Sequence, residues 1–298
     1  MKTRLVVAVL VVAVAAVALG TLCWADAGEE ARKIVEANKQ AVVTVQLVVE
    51  TKMSYSGESD KDERKVSATG TVVDPSGLLV AALSQVDPTS IMSSFMPEED
   101  GGSKIQSNIV DVKIKTEDGT EIPADVVLRD RDLDLVFLRP KKAPETPMKF
   151  VDLSQAASPQ AMDEVVVLWR LGQVANRVLA ADVSRVQAVV TKPRLCYAVE
   201  ARRLGCPVFS VDGKPVGMLV LRVSRAGGRG GGMYGGMDEI LTVVLPCSTV
   251  MKAAQQAKEA APEKPAVAPP AKPPAKPEAK PALKPPVKPP AKPAPKPK

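Results

Sequence analysis

Serine, cysteine, lysine and carboxylate are the reactive side chains available here, because the 298 residues include 34 Asp+Glu, 40 Lys+Arg and four Cys but no histidine. Without an imidazole there is no Ser-His-Asp or Cys-His nucleophile, no His-ligated metal, and no side chain whose ordinary pKa lies near neutrality. The spacing of the remaining groups adds little chemistry. Glu98, Glu99 and Asp100 fall in a Gly/Ser/Pro-rich stretch, Gln85 to Ser107, and read as a solvated charge run rather than a glycosidase acid pair. In the same stretch Met92, Phe95 and Met96 form an apolar cluster suited to a contact patch or a cover. Gly227 to Gly232 and Gly235-Gly236 lack the Gly-Lys-Ser/Thr that opens a helix under a phosphate, so they read as a flexible hairpin loop. No cofactor or metal-ligand motif is present, and none is expected.

The ends of the chain differ from its middle. Lys2 and Arg4 precede an uncharged run from Leu5 to Leu22, and Ala25-Asp26-Ala27 supplies small residues, the pattern of an export signal over residues 1–25. The run is also at the lower length limit for a membrane-spanning helix, so anchoring by residues 5–22 is the alternative to cleavage. Either way the body is expected outside the cytoplasm: periplasmic, in the cell envelope or extracellular. Residues 261–298 hold fifteen Pro, nine Lys and two Glu, with Lys272 to Lys296 recurring at every fourth position. Such a segment cannot build a core and reads as a disordered, extended spacer, or as a cationic rod for anionic envelope polymers or lipid headgroups. Because it accounts for +7, the net charge of +6 leaves residues 1–260 at −1, and no nucleic-acid partner is expected of the folded part. Export places Cys196, Cys206 and Cys247 in an oxidising compartment, where one disulfide among the three, in any pairing, competes with three semi-buried apolar residues.

Between Asp26 and Ala260 the pattern is a short helix, many strands and a short helix. Glu29 to Lys39 is amphipathic and helical. Apolar, β-branched runs come next at Ala41 to Val49, Val66 to Val73, Leu78 to Leu83, Ile109 to Lys115, Glu121 to Leu128 and Leu135 to Leu138. A second series lies at Val165 to Trp169, Val178 to Val190, Tyr197 to Ala201, Val208 to Val211, Val216 to Val223 and Ile240 to Leu245. Turn residues separate them, as in Asp74-Pro75-Ser76-Gly77 and Asp212-Gly213. About six strands per half with no intervening helices predicts an all-β fold of two closed six-stranded antiparallel barrels, about 41–140 and 160–246. A Ser/Thr pair at Ser248-Thr249 predicts the start of a closing helix over 248–260.

Five fragments in register carry a family resemblance. Gly70-Thr-Val-Val-Asp-Pro-Ser-Gly-Leu-Leu79, the strand-turn-strand Val112 to Ile122, and Asp130-Arg-Asp-Leu-Asp-Leu-Val-Phe-Leu138 resemble the first barrel of the HtrA/Deg-type trypsin-like serine proteases. Val211-Asp-Gly-Lys-Pro-Val-Gly-Met218 and Leu245-Pro-Cys-Ser-Thr-Val-Met-Lys252 resemble the second barrel and its closing helix, so that the likeness spans nearly all of residues 29 to 260. The resemblance implies a trypsin-like domain over 26–260 and a serine endopeptidase site. Carried over residue by residue, the family's histidine falls on Ser84 and its aspartate on Asp134. Its nucleophile, in Gly-Asn-Ser-Gly-Gly-Pro, falls on Leu204 within Arg202-Arg203-Leu204-Gly205-Cys206-Pro207. The loop before Pro207 is about four residues shorter than the family pattern, which puts the oxyanion-hole N–H groups in question as well. Asp134 also has a structural reading, capping backbone N–H groups at a strand's start.

With two of three triad members replaced, the resemblance implies an exported pseudoprotease that binds a protein or peptide in the former substrate cleft, or an envelope scaffold. Two alternatives remain. One is unconventional peptidase activity, through Ser84 with a lysine or Cys206 with Glu200. The other is an inert domain tethered to the envelope by its cationic tail. After the closing helix the sequence passes into the Pro/Lys segment rather than the peptide-binding module usual in that family.

Overall fold

The computed structural model describes residues 27–55, 58–87, 104–223 and 240–263. The export-signal residues, the acidic stretch 98–100 with Met92, Phe95 and Met96, the glycine-rich 227–236 and the Pro/Lys segment from 264 onward lie outside the described residues. Helix α1 (Ala27–Asn38) leads into six strands: β1 (Val42–Tyr55), β2 (Glu58–Val72), β3 (Leu79–Ala82), β4 (Lys104–Lys115), β5 (Glu121–Asp130) and β6 (Leu135–Pro140). They close as an antiparallel barrel in the order β1-β2-β3-β6-β5-β4. A second barrel, ordered β10-β11-β12-β9-β8-β7, comprises β7 (Glu164–Arg170), β8 (Leu179–Val190), β9 (Cys196–Val199), β10 (Pro207–Ser210), β11 (Pro215–Val223) and β12 (Ile240–Pro246). Two six-stranded barrels are thus present, as the strand spacing predicts.

The short strands read as unbroken apolar runs because both of their faces are buried. Leu79 and Ala81 of β3, with Val136 and Leu138 of β6, fill the first barrel, while the alternate residues Val80, Leu135 and Phe137 point the other way into a second core. Val166 and Leu168 of β7 enter that second core from the opposite barrel, while Val165 and Val167 fill their own. The shared core also takes Ala31 and Ile34 of α1 and Val250, Ala253, Ala254 and Ala257 of the closing helix α3 (Cys247–Glu259). The barrels are therefore joined by a contiguous apolar layer rather than by a polar seam.

Several boundaries differ from the sequence expectation, most of all in β1, β2 and β4 and at the start of the closing helix. β1 and β2 run on as a long hairpin, paired from Val42↔Thr71 to Tyr55↔Glu58, across a stretch as charged as Asp60 to Lys65. β1 has a ladder partner on each edge there, since β4 pairs with it out to Ser54↔Lys104, and a projecting sheet needs no apolar alternation to stay hydrogen-bonded. α3 begins at Cys247 rather than Ser248, with Pro246 before it and no side-chain cap. Its other end is held: Arg139 of β6 donates to the carbonyls of Ala257, Lys258 (2.9 Å) and Ala260 (3.5 Å), groups a helix terminus otherwise leaves without partners.

Candidate functional site

β3 pairs with β6 through Ala82↔Leu135, so the segment leaving β3 lies beside the segment entering β6. The first is a single helical turn, α2 (Leu83–Val86), which carries Ser84; the second ends at Asp134. The turn into β6 is tight. Asp130 accepts from the N–H groups of Asp132 and Leu133 at 3.0 and 2.9 Å, and Asp134 itself takes a left-handed φ of 56°, a conformation that aspartate tolerates better than most residues. Its carbonyl accepts from Leu83 N–H at 3.0 Å and its carboxylate turns toward α2.

That carboxylate has three donors. Oδ1 accepts from Ser84 N–H at 2.7 Å; Oδ2 accepts from Ser84 Oγ at 2.8 Å and from Leu221 N–H of β11 at 2.9 Å. Asp134 (9% exposed) and Ser84 (7%) are both buried. Burial lifts the Asp134 carboxyl above the ordinary aspartate value, and the bonds from Leu221 N–H and Ser84 oppose that rise without cancelling it. Asp134 thus caps backbone groups of both barrels. The hydroxyl of Ser84 is spent on the carboxylate, and among the described residues no lysine is its partner.

Leu204 stands in the loop between β9 and β10. Gly205, at φ 67°, lets this loop lie directly on the first barrel: a Cβ there would sit 2.7 Å from Ala82 N and 3.0 Å from Thr69 O. Gly205 N–H donates to Leu219 O at 2.7 Å and Leu219 N–H returns to Cys206 O at 2.9 Å, which fixes the loop on β11. The three positions Ser84, Asp134 and Leu204 therefore gather around the end of β3, with a half-buried alkyl side chain where the resemblance puts a nucleophile.

Cys196, Cys206 and Cys247 are all free and buried, which corrects the alternative of a disulfide among them. Cys206 belongs to the interior of the second barrel, apart from Cys196 and Cys247, which both lie in the core between barrels without bonding to each other. Cys206 Sγ donates to Leu204 O at 3.2 Å and Cys247 Sγ to Pro215 O at 3.5 Å. Burial pushes the Cys206 and Cys247 thiols up to about 12 and raises Cys196 as well, so none is poised as a thiolate. Glu200 is exposed and makes no pair with the buried Cys206. Among the described residues no group of three or more His, Cys, Asp or Glu is placed to hold a metal ion.

Sequence reasoning missed two participants. Leu221 enters through its backbone N–H, which no residue type announces. Arg170, at the end of an apolar strand, donates from Nε to Val42 O at 2.8 Å and from its terminal nitrogens to Lys39 O and Arg177 O. Its N–H donates to Thr69 Oγ1 at 3.2 Å, a further tie between the barrels. A lone arginine closing the run Val165 to Trp169 was the available signal.

Two closed six-stranded barrels, with the ends of β3 and β6 meeting the β9–β10 loop, define the double-barrel class of serine-peptidase folds. The trypsin-like peptidase domain matches residues 68–218, just over half of the sequence, and the chain belongs to that family. Among solved structures it is similar to the MamO protease domain of Magnetospirillum magneticum in its apo form, at 15% identity and a TM-score of 0.44, covering 73% of this chain and 97% of that one. No curated protein matches the sequence.

Proposed function

We propose that this chain is an exported trypsin-fold protein without proteolytic activity, whose role is to bind a protein or peptide or to serve as an envelope scaffold. The bond from Ser84 Oγ to Asp134 Oδ2 carries this reading. In a serine peptidase the aspartate orients a base that takes the nucleophile's proton. Here a hydroxyl fills the base's place, an alkyl side chain fills the nucleophile's, and no histidine exists to take over from another part of the chain. Burial of Ser84 and Asp134 means that a partner in the former cleft engages its rim, the exposed Arg202 and Arg203 and the half-buried Leu204, rather than its floor. Residues 1–25 support export, and the Pro/Lys segment supports a salt-sensitive contact with anionic envelope polymers or headgroups.

Turnover of unfolded casein tests the enzymatic half of the proposal. The purified protein and its Ser84→Ala variant are expected to leave casein equally intact; cleavage by the wild type that disappears in the variant overturns the reading. Fractionation of cells at low and high salt tests the envelope contact, with release at high salt as the expected result.

A further inference from the structure

We propose that the gap between β4 and β5 is a docking groove for an extended cationic polypeptide segment of a partner, taken up as an added strand on the first barrel. The site lies on the barrel wall, away from the Ser84–Asp134 pair, and does not depend on the reading of the former cleft.

The β4–β5 ladder comprises only Lys113↔Pro123, Ile114↔Ile122 and Lys115↔Glu121. The ladder ends at Pro123, whose carbonyl turns to the other edge of β5 and accepts from Lys141 N–H at 2.9 Å. Beyond it the strands part. Among the described residues, the edge of β4 over Ile109–Val112 that faces away from β1 has no ladder partner, and β5 over Ala124–Val126 pairs only with β6. A groove opens between these two edges. Ile109, Val112, Ala124 and Val126 of its lining are buried in the core of the first barrel, so the groove itself presents backbone and the polar side chains of its rim. A bulge next to Val48/Val49 in the β1 register leaves Val110 as the extra residue, turned outward and 41% exposed.

One observation shows that this edge accepts added backbone. Glu263, just past α3, donates its N–H to Val126 O at 2.8 Å and places its carboxylate 2.9 Å from Arg129 Nε. That is a single rung of the strand addition proposed for the rest of the groove. Charge decides what the added segment carries. The lining acids Asp111, Asp125 and Glu263 outnumber the cations Arg129 and Lys141; Lys141 already faces Asp125 at 3.6 Å, and Asp111 is exposed at the rim. The surroundings reinforce this: residues 41–140 hold ten Lys/Arg against eighteen Asp/Glu, whereas residues 160–246 hold eleven against seven. A cationic strand is drawn to the first barrel and an acidic one is turned away.

The test uses the full chain and a fluorescein-labelled peptide of alternating Lys and Val, with an alternating Glu and Val peptide as its opposite. Fluorescence polarisation is expected to show binding of the Lys peptide alone, weakened at least tenfold by Asp111→Lys and little changed by Asp62→Lys on the hairpin of the same barrel. Hydrogen exchange on the wild-type complex is expected to show new protection at Ile109–Val112 and Ala124–Val126. Absence of binding overturns the proposal. So does binding that leaves those amides unprotected and is weakened equally by both substitutions, since that is diffuse adhesion to an acidic surface.

Discussion

Ser84 Oγ lies 2.8 Å from Asp134 Oδ2, and the backbone N–H of the same serine lies 2.7 Å from Oδ1, so one residue satisfies both oxygens of a buried carboxylate. The carboxylate is thereby clasped to the turn that follows β3, and through Leu221 N–H it holds the second barrel as well as the first.

Asp134→Asn should therefore destabilise. An amide offers one oxygen where two are used, and its NH2 faces either Ser84 N–H or Leu221 N–H, leaving a buried donor unpaired at a cost of about 1–3 kcal/mol. The deficit should shrink as pH rises. Because the folded-state pKa of Asp134 lies above the ordinary value, its contribution to stability is fully present below the unfolded pKa and is lost as pH rises through the folded one; the amide has no such loss. Urea melts of both proteins across the acidic to neutral range check the sign, and a deficit that widens with pH contradicts it.

Ser84→Ala removes one of the three donors and keeps both backbone ones. The expected cost is about 1.5–3 kcal/mol, the range for a hydrogen bond to a charged group, with the fold intact. Losing that donor should also raise the Asp134 carboxyl further, which a carbon-13 titration of its carboxyl signal would read.

Gly205→Ala and Gly119→Ala separate backbone strain from contact. Both glycines have positive φ, 67° and 88°, but a Cβ at Gly119 meets nothing within 4 Å while at Gly205 it strikes the backbone of Ala82. Gly119→Ala should cost about 1–2 kcal/mol from the left-handed conformation alone. Gly205→Ala should add a further ~1–3 kcal/mol of overpacking and shift the amide resonances around Ser84, since Ala82 precedes it by two residues. Equal losses at both sites would mean that the loop does not bear on β3.

Much of this architecture was legible, for a definite reason. Leu79–Ala82 and Leu135–Leu138 stand out because burial on both faces leaves no polar residue to break the run. The extension of β1 and β2 through Asp60 to Lys65 did not stand out, because a strand that projects beyond its barrel is held by backbone pairing that any residue can make. The one-turn helix carrying Ser84 is too short to show a period. The adjacency of Ser84 and Asp134, 50 residues apart, came from the family register and not from either residue's type. Leu221 could not be found, since its contribution is a backbone N–H. Cysteine count also does not say that Cys206 enters a different core from Cys196 and Cys247, nor that those two stay unbridged within one core.

The state of the thiols is directly countable. Native protein should react negligibly with a thiol reagent at Cys196, Cys206 and Cys247, and the same three should react fully in guanidinium without reductant. Reaction that requires reductant would reveal a bridge.

Fluorophosphonate labelling followed by intact mass measurement is the most direct probe of a disarmed site, because the reagent needs only an activated serine and no particular substrate. The Ser84–Asp134 clasp and the alkyl group of Leu204 predict an unchanged mass for the native protein. A stoichiometric adduct mapped to a serine, and lost in Ser84→Ala, would show a working nucleophile and contradict the proposal.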